Sequence, residues 1–230
     1  MKVTLLSHTP EVEKTISLAA KLCYSDSNID ELEDRVRGIS YEDFLGKILK
    51  MGHLSVLEHA NFTFGIEGIS RAASHQLVRH RLASYSQQSQ RYVDARKRSA
   101  EYVTPDTIKT SEEAGTKYEA LVSKIYGFYE EMVSLGIPKE DARFILPNAA
   151  STKIIVTMNA RELLHFFKVR CCERAQWEIR EMAILMLKAV KHTAPSIFKG
   201  GGPACVEGPC SEGEMTCGHP KEIRKKFQEL

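Results

Sequence analysis

Apolar residues recur at helical spacing over several stretches of this chain and alternate with polar ones over another. Val12, Ile16, Ala19, Ala20 and Cys23 follow Thr9-Pro10-Glu11, which predicts a first helix with Thr9 as its N-cap. Residues 25–34 are polar and acidic and predict a loop or short turn. Ser40 then opens a helix whose inner face is Phe44, Leu45, Ile48 and Leu49, with Gly52 as its stop. Residues 61–67 alternate and predict a half-buried strand, after which Ser70 caps a short helix. The longest helical pattern covers 112–136, capped by Ser111 and stopped by Gly136. Its apolar stripe of Tyr118, Leu121, Val122, Ile125, Phe128, Tyr129, Met132 and Leu135 is expected in the core.

Pro138 begins a further short helix, and Arg143 behind it sits beside the apolar Phe144-Ile145-Leu146. An arginine in such company needs an anionic partner or a route to water. Residues 153–158 are rich in Ile, Val and Thr and predict a strand. It runs into Asn159-Ala160-Arg161-Glu162, which reads as a capping box. A helix N-terminus at a strand end offers free backbone N–H groups to an electron-rich ligand. Arg161 and His165 share one face of that helix; Arg170, nine residues on, lies about 180° away. Residues 175–192 form the last amphipathic helix, around Trp177, Met182, Leu185 and Ala189. By size the chain is one domain, or one domain with an appendage, and after the last helix the composition changes to a Gly/Cys-rich tail over 199–230.

One stretch fits neither period. Residues 79–92 hold three arginines, one histidine, three serines, three glutamines and two tyrosines, with no acid. Forked guanidinium donors suit phosphate or carboxylate, and amides and hydroxyls suit the edge of a ring. If the run is extended, Arg79 and Arg81 share a face; if helical, they diverge by about 200°.

Composition narrows what the stretch could serve. The chain has 230 residues, 43% of them hydrophobic, and a net charge of only +2. That balance argues against bulk binding to a nucleic acid polymer or a membrane. Seven basic residues (Arg71, Arg79, Arg81, Arg91, Arg96, Lys97 and Arg98) and one acid, Asp94, make 71–98 net +6 against −4 for the rest. A local cationic site on a balanced protein points to a small anion. With no secretory signal the protein is expected to be cytoplasmic, and Cys23, Cys171 and Cys172 reduced. His53, Glu58 and His59 match no metal-ligand spacing, and no metal is expected there. Cys205, Cys210, Cys217 and His219 leave structural zinc, a disulfide or free thiols open.

The frame Arg79-His80-Arg81, seven residues, then Ser89 resembles the signature of the flavin-dependent thymidylate synthases. Gly52-His53, Glu58-His59, the 138–143 segment, Asn159-Ala160-Arg161 and Ala175-Gln176-Trp177-Glu178 continue the resemblance in order. It implies conversion of dUMP to dTMP with methylenetetrahydrofolate as carbon donor, FAD as bound redox carrier and NADPH as reductant. It also implies a single α+β domain over 1–198, an antiparallel sheet flanked by helices, in a homotetramer with active sites shared between chains. By position, Gln76, Arg79, Gln87, Gln88, Ser89, Gln90, Arg91 and Arg143 would contact dUMP. Ser55, Arg79, His80, Arg81, Gln87, Asn159, Arg161 and His165 would contact FAD. Arg170 would activate the uracil ring by stabilising its developing negative charge. Ser89, with no triad around it, is assigned to positioning. The competing readings are a single-strand nucleic acid binder stacking bases on Tyr85 and Tyr92, and an oligomeric structural protein.

Overall fold

A computed structural model describes residues 1–93 and 101–230, so Asp94, Arg96, Lys97 and Arg98 of the basic stretch lie outside the described residues. In chain order the first elements are β1 (Lys2–His8), α1 (Val12–Leu22), α2 (Ile29–Arg37), α3 (Tyr41–Lys50), β2 (Asn61–Ser70), α4 (Arg71–Leu77) and β3 (Ala83–Gln87). Then come α5 (Asp106–Lys109), α6 (Glu112–Ser134), α7 (Lys139–Ala142), β4 (Ser151–Asn159), α8 (Ala160–Arg170), α9 (Trp177–Thr193), α10 (Pro195–Phe198) and α11 (Pro220–Gln228).

The strands form one sheet in the order β1-β2-β4-β3. The Thr63 and Thr157 hydroxyls meet at 2.9 Å, and Lys153 Nζ meets Glu67 Oε1 at 2.9 Å. One number rises as the other falls, so β2 and β4 are antiparallel. Phe62, Phe64 and Ile66 alternate into the core from β2, as Thr152, Ile154, Val156 and Met158 do from β4. β3 lies at the sheet edge, where a strand of Ala, Ser, Tyr and Gln is tolerated without a second buried face. The ambiguous run therefore resolves into three parts: a turn carrying Arg79 to Leu82, the edge strand, and a second turn. β1 was not legible because its two inward residues, Val3 and Leu5, are only half-buried.

The chain divides into two units. The larger holds Val3–Gly65, His80–Ser84 and Val156–Leu230. Its centre includes an edge-to-face aromatic chain, Phe62 on Phe198 at 5.4 Å and Phe198 on Phe167 at 6.1 Å. Each such ring contributes about 2–3 kcal/mol by leaving water. Two sequence expectations fail here. The first helix starts at Val12 with Glu11 as N-cap, while Thr9 Oγ1 accepts from the Asn61 N–H at 3.0 Å. Tethering to the next strand has taken the hydroxyl that would have capped the helix. Of the expected loop over 25–34, residues 29–34 are helical: Asn28 Oδ1 accepts from the Glu31 N–H and starts α2, which buries only Leu32 and Val36. Two apolar positions were too few to raise a helical signal above the acids.

The tail is also folded. α11 buries Ile223 and Phe227, and the Arg224 guanidinium donates to the carbonyls of Cys205, Val206 and Gly208. Gly202, at φ 152°, takes a conformation that disfavours side chains, and an added Cβ would stand 2.8 Å from the Phe227 ring.

The other unit comprises Met1–Lys2, Ile66–Arg79 and Tyr85–Ile155. Ser70 Oγ accepts from Ala73 N–H at 3.0 Å and Ser111 Oγ from Ala114 N–H at 3.3 Å, starting α4 and α6 as expected. Gly136, at φ 89°, ends α6 in a Schellman turn, with Ile137 N–H on Met132 O and Gly136 N–H on Val133 O. The stripe on α6 is not all core. Val122, Tyr126 and Tyr129 are buried, but Leu121, Phe128 and Leu135 are 59%, 49% and 72% exposed. The last three recur every seven residues, a separate face from the buried one. Among the described residues, no helix is long and apolar enough to cross a membrane.

Candidate active site

In the larger unit the chemistry centres on His80, which is 7% exposed. Arg170 Nε donates to His80 Nε2 at 3.0 Å, and His80 Nδ1 stands 3.3 Å from Glu162 Oε1. An arginine N–H only donates, so Nε2 is the bare nitrogen and Nδ1 carries the hydrogen toward the carboxylate. Burial, then the nearby Arg170 and His165 charges, hold the His80 pKa down at about 4. The imidazole is thus neutral at physiological pH. Burial pushes the Glu162 carboxyl up, opposed by His165, and pushes Arg170 down. The Phe166 ring meets His80 edge-on at 4.9 Å and closes that side. His80 is among the residues expected at the flavin, and its two ring nitrogens face Arg170 and Glu162.

α8 presents polar groups in two directions, as its spacing required. Arg170 turns to His80, while Arg161 pairs with Glu58, each about half exposed. Asn159 Oδ1 accepts from Glu162 N–H at 2.8 Å, and Ala160 N–H donates to Ala60 O at 2.8 Å. Two of the N–H groups expected to be open to a ligand are already used. The capping box is half made: Glu162, expected to reach back to Asn159, turns to His80. Its plain structural explanation in the sequence is what hid it as a site residue. Ser55, Arg81 and His165 are exposed. Arg81 has no side-chain partner among the described residues. Tyr24 stacks on His53 at 5.5 Å, with its hydroxyl in hydrogen-bond reach of that ring.

The smaller unit gathers a second set. Gln88 N–H donates to Lys153 O at 2.9 Å, extending the pairing of β3 with β4, and Gln87 Nε2 donates to Thr152 Oγ1 at 3.3 Å. Arg71 Nη2 holds the Gln88 carbonyl at 2.8 Å. These contacts place Gln88, Ser89 and Gln90 on a small cavity walled by Tyr126 and Tyr129. Gln88 Oε1 is buried there and accepts no hydrogen bond among the described residues. A buried acceptor without a donor is unfavourable by about 1–3 kcal/mol. An N–H on an entering ring would relieve it. Ser89 Oγ accepts from the Arg91 N–H at 3.1 Å, a turn contact that suits positioning. Arg91 Nε meets Glu140 Oε2 at 2.7 Å, and Arg143 Nε donates to the Glu140 carbonyl at 3.1 Å. Arg143 is half-buried, and of its apolar neighbours Phe144 is 82% exposed while Ile145 and Leu146 are half-buried. Gln76 is half-buried on α4, and Arg79 is exposed with no side-chain partner among the described residues. Glu140 and Arg71 were both missed; an acid three positions before Arg143 was the available signal.

The two cysteines beside Arg170 are poor nucleophiles. Burial pushes the Cys171 thiol up to about 12, and burial also raises Cys172, both next to Arg170. Among the described residues, no group of three or more His, Cys, Asp or Glu could hold a metal ion.

In the larger unit an oriented, half-buried arginine suits an anionic group, and in the smaller unit a buried amide oxygen with no donor among the described residues suits a ring N–H. The family model described as thymidylate synthase complementing protein matches residues 4–196. The flavin-dependent thymidylate synthase of Geobacter sulfurreducens is 56% identical over 230 residues, covering 100% of this chain and 99% of that protein. That of Pyrococcus furiosus is 45% identical, covering 100% and 98%, and that of Clostridium tetani 44%, covering 99% and 97%. In fold, the crystal structure of a UMP/dUMP methylase, PolB from Streptomyces cacaoi bound with 5-Br dUMP, is similar with a TM-score of 0.76. It shares 21% identity and the match covers 86% of this chain and 93% of that one. The chain belongs to the flavin-dependent thymidylate synthase family.

Proposed function

We propose that the protein converts dUMP to dTMP, taking the carbon from methylenetetrahydrofolate and the reducing equivalents from NADPH. The observation that carries this reading is Arg170, half-buried and aligned on a neutral His80, with its terminal nitrogens without partners among the described residues. A guanidinium so placed stabilises negative charge on a uracil carbonyl while C5 forms its bond to the methylene carbon. The C5 proton is then lost, tetrahydrofolate departs and a hydride completes the methyl group. No thiolate is needed, in keeping with the raised cysteine thiols.

The rest of the dUMP set divides by chemistry. Gln88 Oε1 accepts from the ring N–H, and Arg91, exchanging Glu140 for the substrate, takes the phosphate. Ser89 holds the turn that presents them, and Gln76, Gln87, Gln90 and Arg143 complete the wall. Toward FAD, the exposed Arg79, Arg81 and Arg161 suit the pyrophosphate, with Ser55, Asn159 and His165 as hydrogen-bonding groups. FAD, when bound, supplies two-electron transfer from NADPH.

Self-association to a homotetramer belongs to this reading, supported by the exposed Leu121, Phe128 and Leu135 face of α6. In such an assembly the two sets of residues need not come from one chain. A cytoplasmic location fits six free thiols. Purified protein should be yellow and should oxidise NADPH in a dUMP-dependent manner when methylenetetrahydrofolate is present, forming dTMP. Colourless protein that takes up no FAD refutes the proposal.

A further inference from the structure

Glu162, His80 and Arg170 form a chain in which a neutral ring separates a carboxylate from a guanidinium. The usual partner of a half-buried arginine is the carboxylate itself, in a bidentate pair. Such a pair would orient Arg170 but would also offset the positive charge that a developing uracil anion needs. Here the carboxylate stands one ring away. The guanidinium is planar, so fixing its Nε–H direction at 3.0 Å from His80 Nε2 fixes where both terminal NH2 groups aim.

We infer that His80 and Glu162 are positioning residues for Arg170: Glu162 holds His80 as its Nδ1–H tautomer, and the bare Nε2 anchors the guanidinium without neutralising it. Groups facing the His80 ring include Glu162, His165, Phe166 and Arg170. Glu162 is placed to accept from Nδ1–H, and Arg170 to donate to Nε2. Were Nε2 to carry the hydrogen, it would confront the Arg170 N–H as donor against donor. The carboxylate therefore acts at one remove, by selecting which nitrogen is bare. The inference rests on the reading that Arg170 acts on the uracil ring.

The test is a cycle built on His80→Phe, which keeps the ring packing on Phe166 and removes both nitrogens. Flavin content, dUMP affinity from the flavin absorbance change, and turnover are measured for His80→Phe, Arg170→Ala and the double variant. His80→Phe is expected to keep its flavin and its dUMP affinity within a few fold, while kcat falls roughly 10- to 100-fold. In the Arg170→Ala background the same change should lower kcat no further. His80→Gln, whose side-chain oxygen can stand in for Nε2, should recover kcat to within about tenfold of the native protein. Glu162→Gln can offer an amide N–H to Nδ1 and so favour the wrong tautomer. It should lower kcat by a similar factor, again only while Arg170 is present. Loss of flavin from His80→Phe would make His80 a cofactor ligand and overturn the inference. So would an unchanged kcat, or an equal loss with and without Arg170. Full turnover by Arg170→Ala would instead sink the underlying reading of Arg170.

Discussion

Arg170 donates its Nε–H to the bare Nε2 of His80 at 3.0 Å, an ion-to-neutral contact made where an ion pair is the usual arrangement. Its first measurable consequence concerns acid stability. His80 has an ordinary pKa of 6.5 and is held at about 4 in the fold. Between those values the unfolded chain binds a proton that the native one refuses. The stability this site contributes is therefore whole above pH 6.5 and declines as pH falls toward about 4, by up to about 3 kcal/mol. Urea unfolding at pH 7.5 and pH 5 should show His80→Phe losing less stability on acidification than the native protein. Equal losses would mean that His80 titrates normally.

Glu140 occupies Arg91 in a contact with each side chain about half exposed. Such a pair is worth at most about 1 kcal/mol. Glu140→Gln should leave the melting temperature nearly unchanged and tighten dUMP binding by up to about fivefold. Weaker binding would show that Glu140 helps to place Arg91 and does not compete for it.

The thiols should differ sharply in reactivity. Cys171 is buried with its pKa pushed to about 12, whereas Cys23 is exposed. Labelling the folded protein at pH 8 with a disulfide reagent should modify Cys23 quickly and spare Cys171 until denaturant is added. Prompt labelling of Cys171 would contradict its burial. Cys171→Ala should still turn over dUMP, since no step assigned here uses a thiol.

Phe227 is 2% exposed and closes on Gly202. Phe227→Ala should destabilise the protein by about 3–5 kcal/mol, and Gly202→Ala should also destabilise it, by strain at its positive φ. Thermal unfolding checks both. A shift of less than a degree for Phe227→Ala would mean that the tail contributes nothing to the fold.

Much of this was legible from residue order. Ser40, Ser70, Ser111 and Asn159 cap the helices they were expected to cap, because a capping oxygen acts within three residues. Gly52 and Gly136 stop theirs at φ 74° and 89° for the same local reason. The failures are non-local. Thr9 was diverted by Asn61, 52 positions away, and Glu162 by His80, 82 positions away. Neither partner leaves a trace near the residue it takes. The inward face of α6 was misjudged because sequence gives the angle of a stripe and not which side meets the core. The family resemblance pointed to Arg170, but the neutral ring that holds it left no trace in residue order, since tautomer and burial arise only on folding.

The outer face of α6 bears on how the protein behaves when diluted. Leu121, Phe128 and Leu135 are largely exposed on a single chain. If further copies cover them, folding and association are one equilibrium, and the melting temperature must rise with protein concentration. An enzyme of this kind would be sturdier in a crowded, well-expressing cell than in a dilute assay. Activity measured at nanomolar concentration would then report partly on mass action and not on chemistry alone.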